Sequence, residues 1–132
     1  MAQANTRQIT GQQRFKGQHA YHAGLAAEQS ALRCYLARGY QLEALRWRGQ
    51  SGELDLILRD GEAFVFVEVK KSRSMVQAAL QISPSQKARI LAAAEEFVAT
   101  QPSGLLSEMR FDVALVDQNG RVETLENALG DG

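Results

Sequence analysis

The chain has 132 residues, 45% of them hydrophobic and 23% charged, values typical of a single globular domain. No apolar run approaches the roughly 20 residues that span a bilayer. Residues 1–6 lack the apolar segment of a secretory signal. One cysteine, Cys34, excludes an intrachain disulfide and a multi-cysteine metal site. We therefore expect a cytoplasmic single-domain protein that does not associate with membranes.

Charge is distributed unevenly along the chain, although the net charge is zero. Residues 1–89 hold 13 of the 15 lysines and arginines and 7 of the 15 acidic residues. Residues 90–132 hold the other 2 basic and 8 acidic residues. This asymmetry permits a basic face on a neutral protein, which would suit a polyanionic partner such as a nucleic acid.

The N-terminal part predicts an arm followed by a helix. Residues 1–18 are polar, mildly basic and without a sustained period, which is typical of a flexible arm. From about His22 to Arg38 apolar residues recur at helical spacing, and Gly39 follows where a C-terminal cap is expected. We expect one folded domain over residues 19–128 and a frayed tail over residues 129–132.

The remainder predicts strands around a second helix. Asp60-Gly61 is typical of a two-residue hairpin loop. Ser83-Pro84-Ser85-Gln86 is typical of a helix start, and that helix would end near Ala99. A helix that connects two strands favours a parallel pair, so we predict a mixed sheet in an α/β protein of order α-β-β-β-α-β-β. The predicted strands, rich in branched and aromatic residues, are Tyr40–Arg48, Glu53–Arg59, Ala63–Lys70, Arg110–Asp117 and Val122–Leu125.

The third strand carries charged residues where a core is expected. One of its faces consists of alanine and valines and the other begins with Phe64 and Phe66, which is typical of a strand covered on both sides. Glu68 and Lys70 continue the phenylalanine face. Because an unpaired buried charge costs several kcal/mol, these two residues need partners.

Hairpin register supplies one partner. If Asp60-Gly61 is the loop, Asp55 lies opposite Phe66 and is a diagonal neighbour of Glu68, about 7–8 Å away at the backbone. Glu53 would then stand directly opposite Glu68. A loop one residue longer would place Asp55 on the other face.

The two helices supply further charged groups. Glu28 lies within the apolar stripe that contains Leu25 and Leu32, so its carboxylate should point at the sheet. Lys87 shares a stripe with Ile90 at the start of the second helix, and its long stem can reach the sheet edge.

Clustered carboxylates repel one another unless they are protonated, paired with bases or bound to a cation. An all-oxygen ligand set without cysteine suits a hard cation, Mg²⁺ or Mn²⁺. A lysine beside such carboxylates can orient water and offset negative charge. This chemistry suits hydrolysis of a phosphodiester. Arg110 and Asp112, by contrast, are expected to form a structural pair on the fourth strand.

A joint pattern resembles the YraN-like family of small bacterial proteins, over roughly residues 20–126. Its matching segments are Gly52–Ile57 (GELDLI), Val65–Lys70 (VFVEVK), Lys87 and Arg110–Val113 (RFDV). That family is placed in the PD-(D/E)xK nuclease superfamily, near archaeal Holliday-junction resolvases. The resemblance implies a restriction-endonuclease-like fold.

The resemblance also implies roles for the matching positions. Asp55 and Glu68 would bind the metal, with the Val69 carbonyl as a backbone ligand, and Lys70 would be the catalytic lysine. Glu28 corresponds to the first-helix glutamate of resolvase-like proteins and would assist at the metal. Two charged residues are accessory candidates: Glu53 and Lys87. Basic candidates for DNA contact are Arg46, Arg48, Lys71, Arg73 and Arg89.

We therefore predict a Mg²⁺- or Mn²⁺-dependent endonuclease that acts on DNA, with structured or branched DNA as the substrate and a homodimer as the assembly. The alternative is a non-catalytic nucleic-acid-binding module on the same fold. Two departures from the family pattern bear on these predictions: Arg46 stands where the family often has Asn, and the connection 71–82 lacks glycine.

Overall fold

The computed structural model describes residues 11–72, 74, 77 and 81–129, with side chains from residue 24 onward. These residues form the elements that the sequence predicts, in the predicted order. The bounds are α1 (Gly11–Ala37), β1 (Gln41–Arg48), β2 (Glu53–Asp60), β3 (Ala63–Lys71), α2 (Pro84–Val98), a short 3₁₀ helix (Gly104–Leu106), β4 (Met109–Val116) and β5 (Val122–Leu125).

The five strands form one mixed sheet in the order β1-β2-β3-β4-β5. Neighbouring strands are antiparallel except β3 and β4, which are parallel and are connected through α2. A crossover helix between adjacent strands of one sheet brings the chain back in the same direction, so the predicted parallel pair is confirmed. The architecture is α/β, with one long helix against each face of the sheet.

Each face of β3 packs against a different helix, as its two apolar faces predict. Phe64 and Phe66 contact a core with Ile90 and Phe97 of α2. The valine face instead contacts a core that includes Tyr35 of α1. The site residues that continue the phenylalanine face of β3 therefore lie on the α2 side of the sheet.

The first helix begins earlier than the sequence predicts. It starts at Gly11 instead of near His22, so residues 11–18 of the expected arm are helical. This segment has no apolar period but contains good helix formers and no proline, which is why periodicity alone missed it. Within the described part of the chain, no helix combines the length and apolarity needed to cross a bilayer.

The pairing register of the β2–β3 hairpin is shifted by two residues from the predicted register. Asp60 pairs with Ala63, so the loop is Gly61-Glu62 instead of Asp60-Gly61. Gly61 has a φ of 63°, a conformation that glycine adopts without strain at the first position of a tight hairpin loop. Because side chains alternate with a period of two, a shift of two residues changes the partners but keeps the face of each residue wherever the strand is regular.

A buried ionic network joins α1 to β4. Asp112, with 2% of its surface exposed, accepts hydrogen bonds from Tyr35 Oη at 2.7 Å and from Arg110 Nε and Nη2 at 2.9 and 2.8 Å. The backbone N–H of Asn127 donates to it at 3.1 Å. The predicted Arg110–Asp112 pair is thus confirmed. The other contacts of Asp112 connect β4 to α1 and to the segment after β5.

We expect the loss of the Tyr35 hydroxyl to destabilise the fold. Tyr35→Phe should lower the free energy of unfolding by about 1–2 kcal/mol because Asp112 loses a buried donor. Asp112→Ala should cost about 3–5 kcal/mol because it removes the buried carboxylate that Arg110 and Tyr35 share. Urea denaturation measures both. Tyr40→Phe is the control: its half-buried hydroxyl accepts from Arg110 at 2.8 Å, and solvent can replace it. Equal losses for both tyrosine variants would contradict this account.

Candidate active site

Strand β2 is irregular at Asp55. Leu54 and Ile57 both contact the core on the α2 side, although three positions separate them and regular alternation would place them on opposite faces. Across the ladder, Arg46 of β1 lies between the pairs Leu45–Leu56 and Trp47–Leu54, opposite Asp55, and has a φ of 57°. The alternation of β2 therefore breaks where the predicted metal ligand lies.

The register of the β2–β3 ladder brings Asp55 and Glu68 next to each other. Asp55 Oδ2 accepts a hydrogen bond of 2.9 Å from the backbone N–H of Val69, and its carboxyl group lies close enough to that of Glu68 for the two to interact directly. The sequence predicts diagonal neighbours on one side of the sheet. The structure places them closer than that, because the register is shifted by two residues toward a direct pairing.

Burial and mutual repulsion favour a shared proton in this pair. Burial, then the charge of Asp55, raises the pKa of Glu68 from 4.5 to about 7, against the opposing effect of Lys70. Burial also raises the pKa of Asp55, although the Val69 N–H stabilises its charged form. Both carboxyl groups are therefore harder to ionise than an exposed carboxyl group. A cation could replace that proton.

Lys70 and Gln86 complete the α2 side of the site. Lys70 Nζ lies 3.4 Å from Glu68 Oε2, and both side chains are largely buried. The Gln86 amide nitrogen lies 3.5 Å from the same oxygen. With the amide turned over, its oxygen accepts from Lys70 Nζ at 3.2 Å and its nitrogen donates to the Gln81 carbonyl at 3.2 Å, which satisfies both amide atoms.

Gln86 is the site residue that sequence reasoning missed. We interpreted it only as part of the helix start, and its backbone N–H does donate to Ser83 Oγ at 3.1 Å. Its spacing of four and seven residues from the buried Ile90 and Ala93 was the signal that the side chain faces the sheet. Lys87, the predicted accessory residue of this helix, is exposed to solvent.

Glu28 points at the sheet, as predicted, and forms an ion pair there. Its Oε1 accepts from Arg46 Nε at 2.5 Å, with 10% of the Glu28 side chain exposed. Burial raises the pKa of Glu28, the hydrogen bond from Arg46 lowers it, and the charge of Asp55 raises it further. Glu28 is therefore an electrostatic neighbour of Asp55. Its predicted role as a third metal ligand would require this ion pair to open.

The remaining candidates surround this centre. Glu53 is partly exposed and interacts electrostatically with Asp55, while its Oε2 lies 3.9 Å from Arg48 Nη2. The Arg89 side chain passes over the backbone of Gly52, where an added Cβ would lie 2.9 Å from Arg89 Cγ. Among the predicted DNA contacts, Arg48, Lys71 and Arg89 are exposed, Arg46 binds Glu28, and Arg73 lies outside the described residues.

The donor set fits a hard divalent cation held by few protein ligands. Within residues 24–129 that the structure describes, no three His, Cys, Asp or Glu side chains form a group able to hold a metal ion. Asp55 and Glu68 form a pair, and Mg²⁺ usually binds through one or two carboxylates together with substrate phosphates and water. Two adjacent, partly desolvated carboxyl groups suit this mode of binding.

Comparison with known proteins places the chain in a family. The model of the uncharacterised protein family UPF0102 matches residues 27–116. The chain belongs to this family. It is 63% identical over 116 residues to a UPF0102 protein of Roseobacter denitrificans, covering 88% of this chain and 90% of that protein. It is 54% identical to a UPF0102 protein of Ruegeria pomeroyi, with 89% and 95% of the two chains covered.

The shared proton predicts a pH dependence of stability in the metal-free protein. The pKa of Glu68 is about 7 in the folded chain and 4.5 without its surroundings, so folding favours the protonated form. The stabilisation that protonation of Glu68 gives to the folded chain is complete below pH 4.5 and is lost as the pH rises through 7. We expect the free energy of unfolding to fall by up to about 3 kcal/mol over that interval.

The measurement is guanidinium denaturation in chelator across this pH range, on the wild type and Glu68→Gln. The glutamine is neutral throughout, so the difference between the two curves isolates the titration of Glu68. Glu62→Gln, an exposed glutamate of the β2–β3 loop, is the matched control. If the wild-type and Glu68→Gln curves run parallel, the proposed proton is absent.

Proposed function

We propose that this UPF0102 protein is a Mg²⁺- or Mn²⁺-dependent endonuclease of the PD-(D/E)xK superfamily that hydrolyses phosphodiester bonds in structured or branched DNA. The observation that carries the proposal is the adjacent, partly buried carboxyl groups of Asp55 and Glu68, with the Val69 N–H at 2.9 Å from Asp55 and Lys70 Nζ at 3.4 Å from Glu68. The order α-β-β-β-α-β-β supports a restriction-endonuclease-like fold, which the sequence resemblance implies.

The side chains have complementary tasks in this proposal. A divalent cation bound by Asp55 and Glu68 would polarise the scissile phosphate as a Lewis acid. The Val69 N–H fixes the orientation of the Asp55 carboxylate. The Lys70 ammonium can orient the attacking water and offset the negative charge that develops on the phosphate. The Gln86 amide oxygen, which accepts from Lys70, restrains the ammonium in that position.

The surroundings of the pair suit a polyanionic substrate. The exposed Arg48 and Arg89 flank the side of the site formed by the β1–β2 loop. Lys71 lies next to Lys70 in sequence and borders an open groove of about 540 Å³ at the ends of β3 and β4, whose lining also includes Ser72, Asn119 and the acidic Asp117. Lysines and arginines in such positions bind phosphates of either strand without reading the sequence.

The test is a cleavage assay on linear, flapped, single-stranded and four-way DNA with Mg²⁺ or Mn²⁺. We expect cleavage by the wild type, with preference for the branched substrates. Asp55→Asn and Lys70→Met should each reduce the rate by at least about 100-fold, because each removes a group that acts on the reacting phosphate or water. Asp60→Asn, an exposed carboxylate at the other end of the same strand, is the matched control.

Circular dichroism must show that both site variants remain folded, so that a lower rate reports on the site and not on unfolding. Activity that survives both substitutions would falsify the proposed mechanism. Binding of DNA in chelator, with affinity falling steeply as salt increases and no cleavage in metal, would favour the non-catalytic binding module instead. Cleavage of RNA alone would overturn the assignment of the substrate.

Cleavage of two strands of a four-way junction requires two active sites related by symmetry, so the proposal includes a homodimer. Sedimentation velocity with and without junction DNA measures the assembly. A monomer bound to the junction in a 1:1 complex that still cuts both strands would contradict the dimer while leaving the chemistry intact.

A further inference from the structure

The loop between β1 and β2 is docked onto the surface of α2. The Glu96 carboxylate accepts hydrogen bonds from two successive backbone N–H groups of the loop, those of Gln50 at 2.9 Å and Ser51 at 2.8 Å. The two donors favour the charged carboxylate and hold the pKa of Glu96 below its usual value. The Gly49 N–H closes the loop by donating to the Gly52 carbonyl at 2.9 Å. One side chain of α2 therefore holds a tight turn against the helix.

Gly49 allows the loop to approach the helix this closely. An added Cβ would lie 2.5 Å from Glu96 Oε1 and 2.6 Å from the ring of Trp47. That ring packs edge-on against Phe97 of α2, with the two ring centroids 5.6 Å apart. Because the Trp47 ring is held by this packing, a side chain at position 49 would displace the loop from α2.

The side of α2 that holds the loop also reaches the carboxyl pair. Arg89 follows Gln86 by three residues and Glu96 follows Arg89 by seven, which places all three on one side of the helix. Gln86 binds Lys70 of the site. The stem of Arg89 passes over Gly52, at the end of the loop. The helix therefore sets the position of the loop relative to the site.

The docked loop has an exposed arginine at each end. Arg48, the last residue of β1, has 76% of its side chain exposed, and the 3.9 Å separation from Glu53 is a loose ion pair. Arg89 is also exposed, with its aliphatic stem against Gly52. Both arginines lie at the end of the sheet where β2 begins, two residues before Asp55. Exposed guanidinium groups in this place suit the phosphates of a strand that enters the site.

We propose that Glu96 is a positioning residue that fixes the β1–β2 loop on α2, so that Arg48 and Arg89 form a preformed surface for the phosphate backbone of the substrate. This inference rests on the proposed nucleic-acid substrate, but not on cleavage. A loop that is already ordered loses little conformational freedom when DNA binds, so its contacts contribute more to affinity. Glu96 therefore promotes the binding of a polyanion although it is itself negatively charged.

The test is the affinity of the full chain for labelled four-way DNA, measured by fluorescence anisotropy in chelator over a range of salt concentrations. Glu96→Gln removes a negative charge, which by electrostatics alone would strengthen binding. We expect the opposite, because glutamine has one acceptor oxygen and cannot accept from both N–H groups as a carboxylate does. The loss should match one phosphate contact: about fivefold in affinity near 0.15 M salt and about 1 in the slope of log affinity against log salt.

Two further variants make the interpretation specific. Glu95→Gln is the matched control: it makes the same change of charge at the neighbouring, exposed position of α2 and should bind at least as tightly as the wild type. Gly49→Ala changes no charge and should weaken binding as Glu96→Gln does, because the added Cβ displaces the loop. Amide hydrogen exchange at Gln50 and Ser51 should become faster in Glu96→Gln and stay at the wild-type rate in Glu95→Gln.

The possible results separate this inference from the proposed function. Equal affinities for Glu96→Gln and Glu95→Gln overturn the inference and leave the proposed nuclease standing. Tighter binding by Glu96→Gln than by the wild type overturns it as well, since the charge of Glu96 then matters more than its hold on the loop. A wild type that binds no DNA, in chelator or in Mg²⁺, overturns both this inference and the proposed substrate.

Discussion

The close approach of the carboxyl groups of Asp55 and Glu68 is the constraint on which the rest of the site depends. Two carboxylates this close in a partly desolvated place cannot both be charged without a compensating cation or proton. The sheet holds them together because Asp55 takes the Val69 N–H of the neighbouring strand as its partner. That backbone contact belongs to the sheet itself, so the two oxygen donors are held as rigidly as the strands.

The break in β2 gives Asp55 access to both layers of the molecule. A regular strand would direct its carboxylate to one face only. Instead, Asp55 interacts with Glu68 on the α2 face and electrostatically with Glu28 of α1. Each helix contributes one polar side chain to the cluster: α1 supplies Glu28 and α2 supplies Gln86. The sheet provides the carboxyl pair, and each helix places a polar side chain beside it.

Burial of these charges destabilises the fold, and the surrounding structure offsets the cost. Each acid has a named partner: Arg46 for Glu28, the Val69 N–H for Asp55, and Lys70 for Glu68. The Asp112 network is the contrasting case. Asp112 is more deeply buried, but its donors satisfy the carboxylate fully, so it stabilises α1 against β4 and has no vacant oxygen to offer a ligand.

The sequence by itself determined the element order, the mixed sheet and the two apolar faces of β3, because these follow from local periodicity and turn chemistry. Asp55, Glu68 and Lys70 are its predicted site residues, and the family resemblance supplies their proposed roles. It left undetermined the start of α1, whose first turns lack an apolar stripe, and the exact loop of the β2–β3 hairpin. Only the tertiary structure decided that Arg46 binds Glu28 and that Gln86 reaches Lys70. Those contacts join residues that are distant in the chain, and they depend on a strand irregularity and on helix placement, which no local pattern specifies.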